Sequence, residues 1–125
     1  MAVLGIKSPK KTIMVVDDEE DNRTTVKSIL EANGYSVITA VDGDDCLKKL
    51  NGKTVQLILM DIMMPGTPVR EVVAQVGGKA KIAFLSVVRM SDVEKGHLLK
   101  MKGVVGFIQK PFDVDALLSE VRRVV

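Results

Sequence analysis

Three uninterrupted apolar runs constrain this chain more than anything else in it: IMVV at 13–16, LILM at 57–60 and IAFL at 82–85. Each is short, rich in β-branched or bulky residues, and lacks polar alternation. That is the signature of a strand covered on both faces. Two further β-rich segments complete a set of five expected strands, Thr12–Val16, Ser36–Ala40, Gln56–Met60, Lys81–Leu85 and Val104–Ile108.

Helical segments fill the intervals. Glu20–Asn33 carries Val26, Ile29 and Leu30 on one face and stops at Gly34, a residue suited to a left-handed cap. Asp44–Leu50 follows Asp42, a good N-cap. Val69–Val76 ends at Gly77-Gly78, and Asp92–Lys102 ends at Gly103. Asp113–Val124 starts on Asp113 as N-cap and is expected to turn Val114, Leu117, Leu118 and Val121 inward.

Strict βα alternation with short connections implies right-handed crossovers and a parallel sheet. The expectation is a single doubly wound (βα)5 domain, α/β and flavodoxin-like, with strand order 2-1-3-4-5. Its ligand crevice then lies at the carboxyl ends of strands 1 and 3. The domain is expected over 12–125, after an N-terminal tail at 1–11 whose starting Met and lysines read as a native N-terminus.

Composition narrows the class. A chain of 125 residues is one domain, and 46% hydrophobic with 27% charged residues is an ordinary soluble globular balance. One cysteine allows no internal disulfide. The apolar stretch Ala2–Ile6 is too short for a signal peptide, and no run approaches the roughly 20 residues a membrane span needs. A cytoplasmic protein without membrane contact is the expectation. The net charge of +2 does not argue for direct nucleic-acid binding.

The acids are unevenly placed. Asp17 and Asp18 open an acidic run immediately after strand 1, and Asp61 directly follows strand 3. With those strands adjacent, three carboxylates meet and repel unless a proton or cation intervenes. Oxygen-only ligands favour a hard ion, and Mg²⁺ suits a site that leaves room for water and phosphate oxygens. Ser86 after strand 4 adds a hydroxyl, and Lys110 after strand 5 adds an ammonium. Acid, cation, hydroxyl and ammonium form a phosphoryl-transfer arrangement with Asp61 as nucleophile. Each part has a plainer reading: a turn and helix cap for the Asp pair, a solvated turn for Lys110 before Pro111. Their joint appearance at four of five strand ends favours the chemical one.

In MVVDDEED, LILMDIMMPG, FLS and GFIQKPF, the chain resembles the receiver domains of two-component response regulators. The resemblance implies that Asp61 accepts a phosphoryl group from a phosphohistidine on a histidine kinase or phosphotransfer protein. It makes Asp18 the direct acidic Mg²⁺ ligand, Asp17 a supporting ligand through water, and the Met63 backbone carbonyl a third donor. Ser86 becomes the hydroxyl that bonds the phosphoryl group, Lys110 its cationic partner, and Phe107 the aromatic switch. A cis Lys110-Pro111 bond is implied too. So is an output face of helix 4, strand 5 and helix 5 that changes shape to control a partner protein. In strict terms the domain is then a phospho-acceptor and not an enzyme, a monomer or weak homodimer.

The chain departs from the family pattern at Pro68-Val69, at Val87, and at Phe107, which has no hydroxyl. Met63 and Val88 stand where the family flanks the hydrolytic water; both are apolar, so slow self-dephosphorylation is expected. A receiver fold without phosphorylation remains an alternative. A flavin- or nucleotide-binding protein is disfavoured, because DDEED replaces the phosphate-cradling loop and no P-loop or G-x-G-x-x-G is present. A haloacid-dehalogenase-type phosphatase would want alternating acids, not adjacent ones. Cys46 is expected to be a small buried thiol and His97 a surface residue. Lys95, Lys100, Lys102, Arg122 and Arg123 would make the output face mildly basic.

Overall fold

The computed structural model describes residues 10–86 and 91–125. Its elements alternate without exception: β1 (Thr12–Val16), α1 (Glu20–Ala32), β2 (Ser36–Ala40), α2 (Gly43–Leu50), β3 (Leu57–Asp61), α3 (Val69–Val76), β4 (Lys81–Ser86), α4 (Asp92–Leu99), β5 (Val104–Gln109) and α5 (Val114–Val124). The five strands are parallel in the order β2-β1-β3-β4-β5, as the alternation predicts. Most of the tail at 1–11, together with Val87 and Val88, lies outside the described residues.

The continuous apolar runs are explained by two cores. Along β1, Met14 and Val16 face one cluster while Ile13 and Val15 face the other. The same division holds for Ile58 and Met60 against Leu57 and Leu59, and for Ile82 and Phe84 against Ala83 and Leu85. Residues of α2, α3 and α4 cover the first face; α1 and α5 cover the second. A right-handed chain running from β1 out to β2, then back past β1 to β3, must put its helices on opposite faces. The reversal opens a crevice between β1 and β3.

Local chemistry sets the boundaries. In α1, Gly34 (φ 93°) follows the cap residue Asn33, and the Gly34 and Tyr35 N–H groups donate to the Glu31 and Leu30 carbonyls. This is a Schellman ending, so the helix stops at Ala32, one residue before the expected end. Asp42 caps α2 by accepting from the Asp45 N–H at 2.8 Å. Asp113 does the same for α5 through the Ala116 N–H, and the helix proper starts at Val114. At the far end of α5, Lys81 and Lys11 donate to the last carbonyls, Val124 and Val125, where cations offset the helix dipole.

Further expectations are corrected. The fourth helix stops at Leu99 and not Lys102, because Met101 turns back onto Leu98 and packs on the first core, and Gly103 (φ 91°) re-enters the sheet. Val114 does not face inward: it is 47% exposed, because α5 directs Leu117, Leu118, Val121 and Val124 to the core instead. Strand β3 is shifted one residue, from the expected Gln56–Met60 to Leu57–Asp61. Strands β4 and β5 each end one residue later than expected, and α2 starts one residue earlier, at Gly43. Asp61 and Ser86 are therefore their strands' last residues. Cys46 is fully buried, and burial pushes its thiol up to about 12.

Helices α2 and α3 meet closely at Gly43, where an added Cβ would sit 2.5 Å from a methyl of buried Val72 on α3. Gly43→Ala should therefore destabilise the fold by about 1–3 kcal/mol through overpacking. Urea unfolding of the single and double variants checks this: Gly43→Ala should cost less in a Val72→Ala background.

Candidate functional site

The acidic edge is assembled by register. Val16 pairs with Met60, so Asp17 comes beside Asp61 one step further along. Asp61 pairs with Leu85 and Ser86 with Gln109, which sets Ser86 and Lys110 on successive strands at the same edge. Strand order converts residues distant in sequence into neighbours.

Carboxylate oxygens of Asp17, Asp18 and Asp61 all lie within 4.8 Å of one another. Asp17 is buried, Asp61 half-buried and Asp18 exposed. Asp17 is engaged on every side. Its Oδ1 accepts from the Glu19 N–H at 2.9 Å, its Oδ2 from Lys110 Nζ at 3.1 Å, and its carbonyl from Arg23 at 2.8 Å. Asp61 Oδ1 accepts from the Met63 N–H at 2.9 Å, and its Oδ2 lies 3.7 Å from Lys110 Nζ. Lys110 thus stands between two of the three acids.

Ser86 is buried at the end of β4, and its carbonyl accepts from the Lys110 N–H at 2.8 Å. The Lys110-Pro111 bond is cis, as the resemblance implies. Phe107 is half-buried against Phe84, with ring centroids 5.3 Å apart, and Lys95 Nζ lies 5.9 Å from its ring centre. The Met63 side chain is 60% exposed. Lys95, Lys102 and Arg123 are less available than their number suggests. Lys95 leans over Phe107, Lys102 lies against Gly78, and Arg123 pairs with Glu120 and the Val105 carbonyl. His97 is exposed, as expected.

The structure gives contacts at the site to two residues to which the sequence assigns no role. Arg23 reaches back from α1 to hold the Asp17 carbonyl. Gln109 donates to the carbonyls of Ser86 and Lys110. The Gln109–Ser86 contact joins residues 23 apart and depends on the strand pairing; the Arg23–Asp17 and Gln109–Lys110 contacts are close in sequence, but no propensity or capping pattern signals them.

Burial raises the Asp61 carboxyl above its usual range; the Met63 N–H and Lys110 pull it down, while Asp17 and Asp18 push it up. An acid with a raised folded pKa holds its proton more tightly folded than unfolded, so stability falls as pH rises between those two pKa values. Without divalent cations, Asp61→Asn should be more stable than wild type at neutral pH. The difference should shrink as pH falls through the raised pKa toward about 4, the ordinary Asp value. Urea unfolding of both proteins across that range checks the sign.

Comparison with known proteins shows the family and the fold. The family model for the response regulator receiver domain matches residues 13–122. The alkaline phosphatase synthesis transcriptional regulatory protein PhoP of Bacillus subtilis is 33% identical over 116 residues, covering 92% of this chain and 48% of that protein. The Vibrio cholerae chemotaxis protein CheY4 superposes with a TM-score of 0.82 at 30% identity, over 94% of this chain and 100% of that one. Thermotoga maritima TrrA, solved in complex with Mg²⁺-BeF, gives a TM-score of 0.80 at 30% identity, over 92% and 99%. The chain spans about half the length of the curated transcriptional regulators it matches. With a family match that runs from β1 into α5, this chain belongs to the response regulator receiver domains, the phosphoryl-accepting modules of two-component signalling systems.

Proposed function

We propose that Asp61 is the phospho-acceptor and that Lys110 and Ser86 serve the transfer. One observation carries the assignment: Lys110 Nζ stands 3.1 Å from Asp17 and 3.7 Å from Asp61 at the edge where three carboxylates converge. An Asp61 oxygen attacks phosphorus as the bond from phosphorus to the donor imidazole breaks. The lysine ammonium then pairs with the phosphoryl oxygens and the Ser86 hydroxyl donates to one of them.

Receiver domains bind Mg²⁺ at an acidic pocket, and this donor set fits it: carboxylate oxygens alone, close enough to share one hard cation. Asp18 is the direct ligand in this reading, with Asp61 and the Met63 carbonyl beside it and Asp17, already bonded, in support. Bound Mg²⁺ supplies charge neutralisation for the transferring oxygens.

Receiver domains take their phosphoryl group from histidine kinases or phosphotransfer proteins. Beside Lys110, an apolar groove of about 600 Å³ runs between α1 and the β5–α5 turn, with Val26, Ile29, Pro111, Phe112 and the exposed Val114 on its walls. An apolar helix face of the donor fits this groove and brings its phosphohistidine to the acids. Ser86 and Phe107 then bias the α4–β5–α5 face between two states that a target protein distinguishes. The domain spans 12–125 in this reading and works in the cytoplasm as a monomer or weak homodimer, as a signalling module without direct nucleic-acid contact and not as an enzyme. Among the described residues, no helix is long and apolar enough to cross a membrane.

Incubation with Mg²⁺ and acetyl phosphate, read by intact mass, tests the acceptor: a gain of one phosphoryl group is expected, absent without Mg²⁺ and absent from Asp61→Asn. No gain in a folded wild-type sample would instead favour a receiver fold used only for binding. Val114→Lys should slow transfer from a phosphohistidine protein by roughly tenfold, about 1.4 kcal/mol, while leaving the acetyl phosphate rate unchanged. Parallel time courses with the two donors measure that split.

A further inference from the structure

We propose that Gln109 is a positioning residue for phosphoryl transfer, fastening the carboxyl ends of β4 and β5 so that Ser86 and Lys110 hold their places relative to Asp61. The inference rests on the roles just assigned to those residues.

The geometry is specific to this side chain. Gln109 Nε2 lies 3.1 Å from the Ser86 carbonyl and 3.2 Å from the Lys110 carbonyl, with Lys110 N–H donating to the same Ser86 carbonyl at 2.8 Å. Ser86↔Gln109 is the last pair of the β4–β5 ladder, so the amide bonds where the regular ladder stops. One amide therefore ties the backbone of the hydroxyl residue to the backbone of the lysine.

The sheet's construction makes such a tie matter. Asp17 and Asp61 stand at the ends of β1 and β3, each with strands on both sides. Lys110 instead follows β5, an edge strand paired only with β4, and that pairing carries a register irregularity at Ile82/Ala83. A small slip of β5 along β4 would move the lysine's Cα and leave the acids where they are. Transfer depends on sub-ångström placement of the charge that meets the phosphoryl oxygens. A donor at position 109 limits that slip; an apolar or acceptor-only side chain cannot.

A residue that merely staples an edge strand would lower stability without changing what the folded protein does. A positioning residue changes the rate far more than it changes cation binding, because the acids sit on strands it does not touch and meet it only through Lys110. The test uses acetyl phosphate at saturating Mg²⁺ with the full chain and three variants, under conditions where far-ultraviolet circular dichroism shows each folded. Gln109→Leu and Gln109→Glu remove the donors; Gln109→Arg keeps them. We expect the first two to be phosphorylated roughly three- to tenfold more slowly, the size of effect one to two net hydrogen bonds give. Mg²⁺ affinity, read by NMR titration in the absence of phosphodonor, should stay within twofold of wild type for Gln109→Leu, and Gln109→Arg should recover most of the rate. If the leucine variant folds poorly, Gln109→Met, uncharged and close to glutamine in length, carries the same comparison. Wild-type rates in both donor-lacking variants, or equal slowing in all three, would overturn the inference while leaving the acceptor assignment standing. A wild-type chain that takes no phosphoryl group would remove both.

Discussion

Three carboxylates held within 4.8 Å of one another are the constraint around which the rest of this structure is arranged. Like charges so close cannot all be solvated or neutralised by water, and each must find a positive partner or share a cation. Lys110 supplies the fixed part of that charge from the opposite side of the crevice. The backbone supplies more: the Glu19 and Met63 N–H groups each donate to one of the acids. Burial still wins at Asp61, whose carboxyl remains less acidic than a free aspartate. A site left short of positive charge is one that a divalent cation and then a phosphoryl group can enter together, since the cation offsets the anion's added charge.

Holding that arrangement requires a stiff frame, and the doubly buried sheet provides it. Each of β1, β3 and β4 commits side chains to both cores, so a one-residue slip would exchange whole sets of packed residues between faces. The central acids inherit this rigidity. The groups expected to sense the phosphoryl group lie toward the sheet's edge, on β4 and β5, where Phe107 is only half-buried. The acids and the groups expected to sense a phosphoryl group are thus separated by strand position. That division suits a module that must capture a group in one place and report it in another.

How much of this was legible beforehand depended on whether the signal was local. The five strands, all five helices and the α2 and α5 caps follow from apolar runs, glycines and aspartates read in short windows, and α3 appears at Val69–Val76 as expected even after the unusual Pro68. The early end of α4 and the outward turn of Val114 were not legible, because each is decided by how a helix packs against residues far away in sequence. The acids, Ser86 and Lys110 could be named from their places after strands, and the strand order that joins them could be argued from crossover handedness.

Sequence alone therefore determined which chemistry this chain carries and the order in which it is delivered to one edge of a parallel sheet. Only the tertiary structure decided the distances: that Lys110 lies nearer Asp17 than Asp61, and that Asp17 is buried and Asp18 exposed. It alone also recruited Arg23 and Gln109 to hold the backbone around them. The physical reason is range. Propensity, capping and burial patterns act within a few residues and are written locally. Hydrogen bonds between strand ends and charges across a crevice arise only once the core has packed and set the strands side by side.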